Sequence, residues 1–145
     1  MDTNTKSIIE SGKAILGIEF GSTRIKAVLI DPENKPIAQG SHTWENQLID
    51  GLWTYSIDAI WSGLQDCYAD LRADVKKQYD TEIESLAAIG ISAMMHGYMA
   101  FNDKEDILVP FRTWRNTNTG IAAAALSEAF VLSLIHISEP TRHLR

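Results

Sequence analysis

At 145 residues the chain is long enough to bury one sizeable core and too short for two full lobes. A net charge of -6 with no cluster of Lys or Arg argues against a nucleic-acid partner, and no basic amphipathic stretch offers a membrane-binding surface. The lone Cys67 can form no internal disulfide, and without a Cys or His cluster at ligand spacing a zinc site is not expected, which leaves a reducing, cytoplasmic setting and a small-molecule ligand.

Residues 1–13 are polar and lack apolar periodicity, and Glu10, Gly12 and Lys13 interrupt any secretion-signal core, so they read as a mobile leader. The apolar run Ala14 to Ile18 then leads into Glu19, a turn of Gly21, Ser22 and Thr23, and a second apolar run from Ile25 to Ile30. That pattern is strand, turn, strand. Gly21 permits a positive φ or close backbone approach, so the amides and hydroxyls of Ser22 and Thr23 can converge on an anion. Glu19 stands at the strand end, where a magnesium ion and its waters need a carboxylate. The plain alternative is an ordinary hairpin turn beside a solvated acid. No Walker loop competes, because the Gly12–Lys13 pair precedes a strand instead of opening a helix.

Pro32, Glu33 and Asn34 turn the chain, and Pro36 to Trp44 supplies a third strand, completing an antiparallel meander. Glu45 to Tyr55 reads as a loop, with Trp44 and Trp53 covering the core edge in preference to lining a cleft. Ser56 is a helix N-cap, and Ile57, Ile60, Trp61, Leu64, Tyr68, Leu71 and Val75 recur at helical spacing, with Lys76 and Lys77 in the last turn. Cys67 lies near this stripe as a packing residue. Leu86 to Ser92 reads as a buried strand, followed by a turn at Met94 to Gly97. A hairpin of Tyr98–Phe101 and Ile107–Val109 comes next, its second arm stopped by Pro110. Asn116, Thr117, Asn118 and Thr119 are candidate caps for an Ala-rich helix from about Gly120 to Phe130.

Gly17, Ile18, Gly21 and Ser22 resemble the first phosphate motif of the actin-like ATPase superfamily, and especially of the FGGY carbohydrate kinases, where the residue at Glu19 is Asp. The resemblance covers about Ile15 to Phe130. Met95, His96 and Gly97 look like the Met-His-Gly that ends the fourth strand of xylulokinase-like members, followed there too by a hairpin, a Pro and a Trp, here Trp114. Taken alone, a His after a strand is more often structural. The resemblance implies an α/β, RNase H-like lobe: a mixed sheet with an antiparallel three-strand meander and flanking helices.

The same resemblance implies ATP and magnesium as cofactors and a sugar as substrate, with no nucleic-acid or membrane partner and room for a homodimer of the longer protein. Gly17, Gly21, Ser22, Thr23 and Lys26 would serve the nucleotide, Glu19 the metal, and Met95, His96 and Trp114 the sugar. Members of the family commonly place an Asp and an Arg after that Trp, whereas this chain has Asn116 and Asn118, so xylulose, another ketose and a polyol all stay open. The family's catalytic base is an Asp beyond this chain's last residue, and its second ATP-binding lobe lies further on. The expectation is an inactive N-terminal piece with its domain at 14–130. Leu132 to Arg142 resembles the translation of a sequencing-library adapter, so 131–145 reads as a non-native tail.

Two other classes suit these residues less well. An RNase H-like nuclease needs several converging carboxylates to hold two metals, and the fourth strand's end offers Ser92 and Ala93 instead. A non-catalytic actin-like or chaperone-like ATPase would have no reason to carry Met95, His96 and Trp114 together.

Overall fold

The computed structural model describes residues 3–117 and 119–130. The chain divides into two units after Thr113. The first holds α1 (Thr3–Glu10), β1 (Ile15–Phe20), β2 (Arg24–Ile30), β3 (Pro36–Thr43), β4 (Gln47–Ile49), β5 (Leu52–Thr54), α2 (Ile57–Tyr79), β6 (Ala88–Ala93), β7 (Tyr98–Phe101) and β8 (Ile107–Arg112). The second contains α3 (Thr119–Phe130), whose run of alanines suits a helix.

The central sheet has the strand order β3-β2-β1-β6. Its first three strands form the expected antiparallel meander, and β6 joins β1 in parallel, with Phe20 opposite Ala93. Opposed residues share a face, so Leu16 with Leu29 and Phe20 with Ile25 point to one side, and Gly17 with Val28 and Glu19 with Lys26 point to the other. The first side meets α2. There Ile25, Leu29, Cys67, Leu71 and Val75 are fully buried, and each large aliphatic side chain so placed contributes roughly 1.5–3 kcal/mol.

Local chemistry fixes α2 at both ends. The Ser56 hydroxyl accepts from the Ala59 amide at 3.1 Å, Asp58 complements the helix dipole, and the chain leaves through Asp80 in the left-handed region, φ 48°. Gly63, Cys67, Leu71 and Val75 form the buried ridge. Trp61, expected on the stripe, lies roughly a third of a turn off that ridge and is exposed. Gly40 on β3 lets the helix approach closely, because a Cβ there would overlap the backbone of Cys67 and Leu71. Two carboxylates of α2 also guard the edge of β3. Asp74 accepts from the Gln39 amide at 3.0 Å and Asp70 from the Ser41 amide at 2.9 Å.

The structure corrects four readings. Residues 3–10, within the stretch that reads as a patternless leader, form a helix, because the adjacent pair Ile8 and Ile9 gives it an apolar side and Ile9 is 1% exposed in the core. Lys6 donates to the Asp80 carbonyl at 3.2 Å and Thr81 to Glu10 at 3.0 Å, tying the helix to the end of α2. The Glu45–Tyr55 stretch, read as a loop, contains the short hairpin β4–β5, closed by Asp50 and Gly51, both at positive φ. Pro110 does not stop β8, since a register shift between Tyr98 and Ala100 relieves it of pairing. Finally β6 is exposed along its length, because α2 lies over β2 and β3 and, among the described residues, nothing covers Ile89 and Ile91. No described helix is long and apolar enough to cross a membrane.

Candidate functional site

The turn between β1 and β2 is closed by the Gly21 amide donating to the Arg24 carbonyl at 3.0 Å. A Cβ at position 21 would lie 2.9 Å from that carbonyl, which explains the glycine. All three turn carbonyls are then committed to two aromatic residues. Gly21 O accepts from Trp44 Nε1 at 2.8 Å, Ser22 O from the Tyr55 hydroxyl at 2.6 Å, and Thr23 O from the Trp44 amide at 3.1 Å. Trp44 and Tyr55 are buried and stacked at 4.3 Å between centroids. The amides and hydroxyls of Ser22 and Thr23 make no hydrogen bond within the described residues. With its carbonyls turned into the aromatic pair, the turn keeps uncommitted donors, the requirement for holding an anion.

Beside the turn, the bare face of the sheet carries Glu19 and Lys26, paired at 3.3 Å, and Arg24. They line an open groove of about 770 Å³ that also includes Gly17, Ser41 and Ser92. Asp70 and Asp74 line the groove as well, so its charge is mixed; Arg24, which directly follows the turn, and Lys26 are the groups in it suited to phosphate oxygens, Arg by its planar fork and Lys as a point charge. Magnesium commonly takes one or two carboxylates and completes its shell with water and phosphate oxygens, and Glu19 fits that single-carboxylate pattern. The described residues contain no cluster of three or more His, Cys, Asp or Glu that would hold a metal on its own.

The Met95–Gly97 turn leaves β6 next to the point where Gly21 leaves β1. The two strands are parallel, Phe20 is opposite Ala93, and the Met94 amide donates to Phe20 O at 3.2 Å. Both turns therefore rise from neighbouring carboxyl ends of parallel strands, the place where α/β sheets bind ligands. Met95 and His96 are exposed, and Gly97 lies under the ring of Phe111. The structure thus brings Gly17, Glu19 and Lys26 into one groove, sets Gly21, Ser22 and Thr23 in the turn that follows β1, and places Met95 and His96 on the turn that follows the neighbouring strand, outside the groove lining. Trp114 begins the second unit, where it is exposed. Asn118 and residues 131–145, including the tail reading, lie outside the described residues.

Sequence reading missed Arg24, Tyr55 and the hydrogen bonds of Trp44. Arg24 had a signal, since it sits two residues before Lys26 and so shares its face. Tyr55 had none, because its bond to Ser22 spans 33 positions.

A comparison with known families matches residues 14–138 to the FGGY family of carbohydrate kinases, N-terminal domain. The chain belongs to the FGGY family. Among solved structures this FGGY domain is similar to a xyloylose kinase from Brucella ovis at 23% identity and TM-score 0.66, covering 81% of this chain and 24% of that one. It is similar to a ligand-bound xylulose kinase from Lactobacillus acidophilus at 25% identity and TM-score 0.60, covering 81% and 23%. A glycerol kinase with ADP from Plasmodium falciparum shares the fold at 17% identity and TM-score 0.60, covering 79% and 23%. The chain thus spans about a quarter of the length of these kinases. A comparison with curated sequences gives no match. The mixed sheet with its flanking helices is the actin-like ATPase fold of FGGY kinases.

Proposed function

We propose that this FGGY domain supplies the phosphate cradle and part of the sugar pocket of an ATP-dependent kinase that phosphorylates a hydroxyl of a ketose such as xylulose. The observation that carries the reading is the pairing of two turns at adjacent strand ends. One has its carbonyls tied back and its donors uncommitted, and the other presents Met95 and His96. Phosphoryl transfer asks a protein mainly to position the reactants and neutralise charge. In this reading the Ser22 and Thr23 amides, Arg24 and Lys26 hold phosphate oxygens, and Glu19 holds the metal's waters. Bound magnesium supplies further neutralisation of the phosphate charge. His96 bonds a sugar hydroxyl and fixes its approach. The base that accepts the hydroxyl proton and the second ATP-binding lobe are expected outside residues 14–130. The xylulose kinase at 25% identity supports a ketose, while a gluconate kinase at the same identity, together with Asn116, keeps other sugars in view.

ADP release by the product of the complete gene, measured with magnesium, ATP and a panel of xylulose, other ketoses and glycerol, tests this. Turnover on the order of 1–100 per second with a ketose is the expected result. No stimulation by any sugar would overturn it.

A further inference from the structure

We infer that Trp44, Tyr55 and Phe111 are positioning residues that hold the phosphate turn and the Met95–Gly97 turn in one arrangement. The inference rests on the kinase reading above and adds to it a physical link between its two half-sites.

The link is continuous. Tyr55 and Trp44 grip all three carbonyls of the turn and stack on each other. The Tyr55 ring meets Phe111 at 5.9 Å and 41°. Phe111 in turn packs against Gly97, where a Cβ would lie 2.5 Å from the ring, so a side chain at position 97 would push the ring aside. From Ser22 to Gly97, each group touches the next.

The framework around the rings is firm. Tyr55 directly precedes the N-cap Ser56, so the start of α2 fixes its backbone. The Thr113 amide donates to Trp53 O at 3.2 Å, tying the end of β8 to β5 on either side of the Tyr55–Phe111 contact. Trp44 and Phe111, unlike the enclosed Tyr55, have one open flank. Beside them runs an apolar groove of about 340 Å³ lined by Phe20, Trp44, Ile91, Met94, Gly97 and Phe111. The turn itself is held to these rings by the hydrogen bonds of Tyr55 and Trp44.

A packing role alone would need only the ring of Tyr55. Its hydroxyl reaches Ser22 O at 2.6 Å and also accepts from Asn46 Nδ2 at 3.4 Å. A buried hydroxyl needs a partner, and this one has taken a carbonyl of the turn whose amides face the other way. Tyr55→Phe removes the oxygen and keeps the ring, which separates the two roles.

The test uses the product of the complete gene, calorimetric titrations with magnesium-ADP and with xylulose, and amide hydrogen exchange without ligand. Tyr55→Phe should weaken ADP binding about fivefold, leave xylulose affinity unchanged and speed exchange at the Gly21 and Trp44 amides. Phe111→Leu should leave ADP affinity without sugar within about twofold and abolish the gain in ADP affinity that bound xylulose gives the unaltered protein. Unchanged ADP affinity with unchanged exchange in Tyr55→Phe overturns the inference, and so does an equal loss for both ligands accompanied by a lower melting temperature. If xylulose does not raise ADP affinity in the unaltered protein, the Phe111 link is overturned. If the unaltered protein binds neither ligand, the kinase reading has failed. Exchange at Gly21 and Trp44 then decides the positioning role alone, faster exchange in Tyr55→Phe upholding it and equal exchange refuting it.

Discussion

Glu19 and Lys26 stand opposite each other on β1 and β2, carboxylate to ammonium at 3.3 Å, on the sheet face that α2 leaves bare. Their side chains are 52% and 56% exposed, so the pair is worth no more than about 1 kcal/mol to the fold. Either head group can leave the other for a stronger partner. A polyphosphate would draw Lys26, and a hydrated divalent cation would draw Glu19.

If the product of the complete gene acts as proposed, Glu19→Ala should therefore lower its turnover by about a hundredfold or more while stability changes by less than about 1 kcal/mol. Glu19→Asp, the residue the family carries at this position, should keep substantial activity. Steady-state kinetics beside a denaturant titration checks both, and near-normal turnover in Glu19→Ala would refute the role.

His96 lies on the exposed turn and contributes no buried surface to the core. His96→Ala should weaken sugar affinity by roughly 1–3 kcal/mol, the cost of leaving a hydroxyl unpaired, with nucleotide affinity nearly unchanged. Calorimetry with each ligand in turn reads the split, and equal losses would make His96 a structural residue.

The closeness of α2 to β3 at Gly40 predicts a different kind of effect. Gly40→Ala pushes a methyl group into the backbone of Cys67 and Leu71, which cannot move aside as a flexible side chain could. A destabilisation of about 1–3 kcal/mol is expected, with the denaturation midpoint as the measurement. An unaffected midpoint would mean that the helix shifts on the sheet freely.

How much of this was legible follows the range of the interactions involved. The hairpin at Gly21, the cap at Ser56 and the ridge through Leu71 and Val75 are local or periodic, and the sequence shows them directly. Met95 and His96 were visible only through a resemblance, because a His after a strand has no chemical signature of its own. The role of Tyr55 was not visible at all, since it depends on a loop folding back across the start of β2. The exposure of β6 was missed for a related reason. An apolar run such as Ile89-Gly90-Ile91 states a wish for cover, and only the position of α2 decides whether cover arrives.

Cys67 is fully buried, and burial pushes its thiol pKa up, the nearby Asp70 carboxylate adds to the rise, and a hydrogen bond with the His42 backbone offsets part of it. A raised pKa means less thiolate at any given pH. Alkylation by iodoacetamide near pH 8 should be much slower in the folded chain than in the denatured one, and should accelerate only at a higher pH than for a free thiol. Equal rates in the two states would show that the helix does not shield the sulfur.

The parts of the phosphate turn and of its clamp, from Gly21 to Tyr55, all precede α2, whereas β6 and the sugar-side turn follow that 23-residue helix. A chain emerging from the ribosome from its N-terminus can therefore dock α2 on the meander and form the Gly21–Tyr55 contacts before β6 and the Met95–Gly97 turn have left the exit tunnel. A released chain ending at Tyr79 should already protect the Gly21 and Trp44 amides from exchange, and equal exchange in that chain and in the denatured protein would refute this order of assembly. The first turn and its aromatic grip are thus an early, self-contained unit, and the second turn is added to a support that has already formed.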